Sequence, residues 1–239
     1  MVNISLISAL IFYSIVLIFF FKTRKRWDVH GKIIALYKTK LGLKSMERIA
    51  KSNPKAIKFV GYVGVILGFI GMVFIFLTLI KSSIDIFFGS KVAGLAPVLP
   101  GVKIPGLPTL SFWHWLIGIF VLAVVHEFAH GVLAKVHDLE VKSSGFGFFG
   151  PIMLAFVEPD EKKLIKKSKM TQLSVFAAGP LSNFIFGALF GLIFFFVFPL
   201  IGNVFFEYEG FVVYNVTEGY DIATKNLELP FTILSINDI

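Results

Sequence analysis

Four stretches of the chain stay apolar for long enough to cross a hydrocarbon layer roughly 30 Å thick. Residues 4–21 form the first, and Lys22, Arg24, Lys25 and Arg26 follow it at once. A cleavable leader carries its positive charge before the apolar run and a small-residue site after it, so this order predicts a retained helix. Residues 60–80 form the second run, with glycines that permit close helix packing. The third covers 110–135 and the fourth 171–201, where Gly179-Pro180 and then Pro199 fall inside the pattern. An interior proline removes a backbone donor, so the fourth helix is expected to be bent or broken.

Shorter patterns fill the gaps. Residues 33–56 are basic and loosely amphipathic, which predicts a helix lying on the membrane surface. Residues 92–109, rich in Pro and Gly, predict an extended loop. Residues 144–157 (SGFGFFGPIMLAFV) are apolar but too short to span, and predict a re-entrant or interfacial hairpin. Beyond residue 201 the period changes. Gly210–Thr217 and Phe231–Ile236 are rich in β-branched and aromatic residues, as strands of a small extramembrane domain are. The reading is an all-α polytopic membrane protein with about four transmembrane helices and the start of a small β-containing domain. Its expected divisions are 1–80, two helices with a basic loop; 81–201, two helices and the hairpin; and 202–239, the partial domain.

Composition agrees with a bilayer as solvent. Hydrophobic residues make up 56% of the chain and charged ones only 16%, where soluble domains carry about a quarter. Cysteine is absent, which excludes disulfides, a catalytic thiol and Cys-ligated metal. A net charge of +8 would suit nucleic acid, but its placement argues otherwise. Segment 22–58 holds twelve Lys/Arg against two acids and 135–170 holds seven against five, so nineteen of the 23 basic residues fall on one side of a four-span chain. The positive-inside rule makes that side cytosolic and puts the amino terminus and 202–239 outside. No nucleic-acid partner is expected.

The chemistry lies in the third span. On a helix, His126 and His130 stand four residues apart on one face, a spacing that lets both imidazoles reach one Zn²⁺. Glu127, beside the first of them, is placed to take a proton from an attacking water. Such a motif also arises in ordinary helices, where it decorates a solvated face. Here it sits between Leu116–Val125 and Gly131–Ala134, and an ionisable group at such depth costs on the order of 2.5–3.5 kcal/mol on insertion scales. That weight favours a metal site. In the fourth span Asn183 follows Gly179-Pro180-Leu181-Ser182; it either forms a packing contact between helices or places an amide near the metal. His114 reads as part of an aromatic belt, His30 and His137 as loop residues, and Glu158, Asp160 and Glu161 as a solvated face.

His126-Glu-Phe-Ala-His130-Gly in an apolar helix, the hairpin at 144–157 and Phe176-Ala-Ala-Gly-Pro-Leu-Ser-Asn183 in the next helix together resemble the site-2 protease family. The branch with a PDZ-like domain is the nearest likeness, residues 210–238 resembling its opening strands. The resemblance implies zinc-dependent cleavage of peptide bonds within transmembrane segments of other membrane proteins. It implies His126 and His130 as zinc ligands, Glu127 as the catalytic base and Asn183 as an active-site amide. It also implies a third ligand, an Asp in an Asn-Pro…Asp-Gly element. That element is not among the 239 residues and is expected beyond Ile239. Two further readings stand beside the protease: a pseudo-enzyme that binds membrane segments without cutting them, and a metal-handling membrane protein.

Overall fold

A computed structural model describes residues 4–31, 33–89, 98–102, 109–150, 152–205, 211–213 and 231–233. Most of the expected loop at 92–109 and most of the chain after residue 205 lie outside them. The chain divides into two compact units, Met1–Lys103 with Thr109–Phe186, and Ile104–Pro108 with Gly187–Ile239.

Long apolar helices make up most of the described residues. These are α1 (Ile4–Thr23), α3 (Pro54–Phe87), α4 (Phe112–Val136) and α6 (Lys169–Leu192), with a short α2 (Leu43–Ser52) and α5 (Glu161–Leu164) between them. Four segments are long and apolar enough to cross a membrane: Leu6–Arg26, Pro54–Phe87, Phe112–Val136 and Lys169–Ile201. Their outer faces carry residues such as Ile11, Phe69, Phe74 and Phe184, all well exposed, as lipid-facing side chains are. The start of α3 is set locally, since Pro54 occupies the first turn and the Asn53 side chain accepts from the Ala56 N–H at 3.1 Å. At 34 residues α3 is roughly 50 Å long, more than the hydrocarbon needs, and near its far end Lys81 pairs with Asp85 at 2.7 Å.

The hairpin expected at 144–157 exists, but inside a larger sheet. Strands β1 (Trp27–His30), β2 (Ile34–Thr39), β3 (Val141–Phe149) and β4 (Ile152–Pro159) form one antiparallel sheet in the order β1-β2-β3-β4. Its register sets Trp27 opposite Tyr37, Tyr37 opposite Phe146, and Phe146 opposite Ala155. Three of these rings form a column, with centroids 5.4 Å apart for Trp27–Tyr37 and 5.3 Å for Tyr37–Phe146. The surface helix expected over 33–56 is therefore corrected. Its first third is a strand, because β3 supplies the partner that the local sequence does not show. Gly42, in the left-handed region at φ 76°, then turns the chain into α2. Met46 and Ala50 of α2 are buried among Val132, Leu133, Val136 and Val175, so this helix docks on protein.

Two glycines let α3 close on its neighbours. A Cβ at Gly61 would come within 2.6 Å of Leu133 Cδ1, and one at Gly64 within 2.8 Å of Leu181 Cδ2. Of the bend or break expected in the fourth helix, no break falls at Pro180, since α6 runs through it without interruption. The irregularity comes later, in a five-residue π-helical segment, Ile193–Val197, that leads into α7 (Phe198–Phe205). Pro199 would crowd the carbonyl of Phe195 and has no N–H to give it, so a widened turn ahead of it relieves both problems. In the second unit β5 (Phe211–Val213) and β6 (Phe231–Ile233) pair antiparallel, within the two segments whose pattern predicts strands.

Candidate metal centre

Helical geometry alone stacks His126 over His130. Their ring centroids are 4.8 Å apart and the rings cross at 73°. His126, Glu127 and His130, all half-buried, offer ligand atoms within 4.8 Å of one another, and they are the one such group among the described residues. What the sequence does not display is how α6 completes the arrangement. His130 Nδ1 lies 2.6 Å from the Val175 carbonyl oxygen, which can only accept, so Nδ1 carries the proton and Nε2 keeps its lone pair. His126 Nδ1 lies 3.2 Å from the Asn183 amide, and Asn183 Oδ1 is buried with no hydrogen-bond partner among the described residues.

Gly179 sits between these two supports. A Cβ there would come within 2.5 Å of His130 Nε2 and would also collide with His126 Nε2. Both Nε2 edges thus converge on a spot kept open by a missing side chain. Ser182 holds the crossing together, donating to the Gly179 carbonyl at 2.7 Å and to the Val125 carbonyl of α4 at 3.3 Å. A pair of imidazole nitrogens beside a carboxylate suits zinc, and the chain has no cysteine thiolate to offer in their place. The residues present fit that ion.

Glu127 faces the other way, toward the sheet. Its Oε2 accepts the backbone N–H of Val157 in β4 at 3.1 Å. Beside it opens a cavity of ≈ 270 Å³, walled by Phe120, Val124 and Phe128 of α4, by Ser144–Phe146 of β3 and by Ala155–Val157 of β4. The carboxylate therefore stands between the histidine nitrogens and an apolar chamber edged by strands.

The other candidates fall elsewhere. His114 bonds to Ser111 at 2.6 Å in the first turn of α4. Glu158 accepts from Ser143 at 2.6 Å and pairs with Lys38 at 3.3 Å, contacts that hold its carboxyl below the usual range, while Asp160 caps α5. His137 departs from its expected loop role. It is buried at 6% exposure, beneath the Tyr62 ring and 3.1 Å from Ser174 Oγ. Its signal was available: it ends an apolar helix, where a cap residue packs inward as readily as outward. Gly179 and the Val175 carbonyl left none, because a backbone group and an absent side chain have no chemical signature in sequence.

Residues 114–237 match the family described as Peptidase family M50. An uncharacterized protein of Methanocaldococcus jannaschii is 35% identical over 165 residues, covering 65% of this chain and 41% of that relative. The chain thus spans about two fifths of the relative's length. No solved structure matches it. The matched segment takes in more than half of the chain, from the helix that carries the histidine pair to the paired strands near the carboxyl end, and the chain belongs to peptidase family M50, the site-2 protease family.

Proposed function

We propose that this chain carries the metal centre of an intramembrane zinc metalloprotease that hydrolyses peptide bonds within the transmembrane segments of other membrane proteins. One observation carries the reading: two imidazole Nε2 atoms converge on a glycine-lined opening, with a carboxylate close beside them, within helices apolar enough to span a bilayer. Zinc, where held by His126 and His130, supplies a Lewis acid and brings the pKa of a water to about 7. Glu127 takes the proton from the attacking water and later returns it to the leaving amine. The cavity beside Glu127 gives an extended substrate backbone a place to lie. A helical substrate hides its carbonyls, so Gly or Pro in a target segment favours the local unwinding that cleavage needs.

Orientation follows from charge. The basic loops 22–58 and 135–170 face the cytosol, the amino terminus and 202–239 lie outside, and the site stands toward the cytosolic side of the membrane. The pairing of β5 with β6 supports a PDZ-like domain after the fourth span. A third protein ligand completes the usual set of a catalytic zinc; the resemblance puts it in a later segment.

Glu127→Gln tests the reading, because the amide keeps size and hydrogen bonding but cannot take a proton. Cleavage of a reconstituted membrane substrate, normalised to folded, zinc-loaded protein, should fall by about 10²–10⁴-fold. Near-normal turnover in that variant would remove Glu127 as the base. No cleavage by the unaltered protein with zinc bound would favour a membrane-segment-binding pseudo-enzyme.

A further inference from the structure

Three positions of α6 face the histidine pair. Val175, Gly179 and Asn183 are four apart and so share one face of the helix, as His126 and His130 share one face of α4. They meet in antiparallel order. Val175 supplies its carbonyl to His130, Asn183 supplies its amide to His126, and Gly179 leaves room between them. The His130 side of this pairing is unambiguous, since a carbonyl oxygen only accepts. The His126 side is not, since an amide presents oxygen or nitrogen after a half-turn and the positions of the heavy atoms alone do not separate the two.

Chemistry separates them. If the Asn183 nitrogen donates to Nδ1, the neutral ring carries its proton on Nε2, which then points N–H at the opening over Gly179 and cannot ligate. If the oxygen faces Nδ1, the ring is protonated there and Nε2 offers its lone pair beside that of His130. As placed, the amide nitrogen faces Nδ1 and the buried oxygen finds no partner among the described residues, so no bond at the oxygen holds that orientation. We propose that Asn183 is a positioning residue of the metal centre: its side-chain oxygen accepts the Nδ1–H of His126, holding that ring in the tautomer and orientation that aim Nε2 at the metal. The inference rests on the zinc-site reading above, and it assigns Asn183 to a ligand where the family resemblance implies an active-site amide.

The test is metal affinity and ring tautomer, with no reference to proteolysis. Zn²⁺ binding to the full chain is measured by competition with a chromophoric chelator, and Co²⁺ is used as a spectroscopic substitute. Asn183→Leu keeps the volume and removes the acceptor, and it should weaken Zn²⁺ by about 10–100-fold and shift the Co²⁺ ligand-field bands. Asn183→Asp keeps the acceptor and should bind close to wild type. His126→Ala should lose the ion. Thermal unfolding of the metal-free forms checks that all are folded. In metal-free wild-type protein, ¹⁵N shifts of His126 should report the Nδ1–H tautomer, a measurement that needs no variant. Wild-type affinity in Asn183→Leu, equal weakening in the Leu and Asp variants, or an Nε2–H tautomer would each overturn the proposal while leaving the zinc site standing. Failure of the wild-type chain to bind Zn²⁺ would overturn both.

Discussion

A methyl group at position 179 would occupy the point on which the two histidine Nε2 atoms converge. Alanine is the better helix former by about 1 kcal/mol, so Gly179→Ala should leave α6 intact while excluding the ion. The expected outcome is a folded protein whose zinc content drops to that of His126→Ala, read by elemental analysis after mild chelation; zinc retained at wild-type level would mean that the metal sits elsewhere. His137 gives a second prediction at this scale. Burial holds its pKa below the ordinary value of about 6.5, Lys58 and Lys167 push it the same way, and Asp138 opposes them. The folded state thus favours the neutral ring, whose Nε2 meets Ser174. A depressed pKa means that the unfolded chain binds the proton first on acidification. His137's contribution is whole above about pH 6.5 and declines as pH falls below it toward the lower folded value. Melting temperatures in detergent at pH 7.5 and 5.5 should therefore differ more for the wild type than for His137→Gln, and equal differences would refute the argument.

Among the elements, what could be read in advance is what has a local cause. The long helices need only apolar length, and the histidine pair needs only the helical repeat, so both were legible. The β1–β2 hairpin was not. Ile34–Thr39 becomes a strand because it pairs with Ser144–Phe149, more than a hundred residues away across two long helices. Pro180 is the opposite case: a local rule predicts a bend or break there, yet α6 continues unbroken and Ser182, two residues on, reaches the Val125 carbonyl of α4. The long-range pairing makes its own prediction. A Cβ at Gly145 would collide with the Tyr37 carbonyl oxygen and approach Phe156 Cε1 at 2.9 Å. Backbone cannot rotate away as a side-chain tip can. Gly145→Ala should lower stability by about 1–3 kcal/mol by prising β2 from β3, the wall of the cavity beside Glu127. Gly68→Ala on α3, where a Cβ meets nothing within 4 Å, serves as the control and should not destabilise. Equal effects in thermal or denaturant unfolding would mean that the β2–β3 contact does not limit stability.

For the molecule as a whole, the question is which side of the bilayer each loop occupies, and charge is the only orienting information the chain contains. Segments 22–58 and 135–170 together hold nineteen of 23 basic residues, and both connect spans that an even number of crossings puts on one side. The β2–β3 pairing adds a physical constraint of a different kind. Residues 34–39 and 144–149 are hydrogen-bonded neighbours, so they cannot lie on opposite faces of a membrane. Charge bias and strand pairing thus agree without sharing any assumption. The chain offers a clean way to check them, because it contains no cysteine and each introduced thiol reports alone. Lys40→Cys and Lys166→Cys, both at exposed positions, should react with a membrane-impermeant maleimide only from the cytosolic face. Lys225→Cys, after the fourth span, should react only from the opposite face. Labelling of Lys40→Cys and Lys166→Cys from opposite sides would break both the charge argument and the shared sheet. Labelling of Lys225→Cys from the same side as Lys166→Cys would instead remove the fourth crossing, and with it the depth at which Asn183 and the histidine pair are brought together.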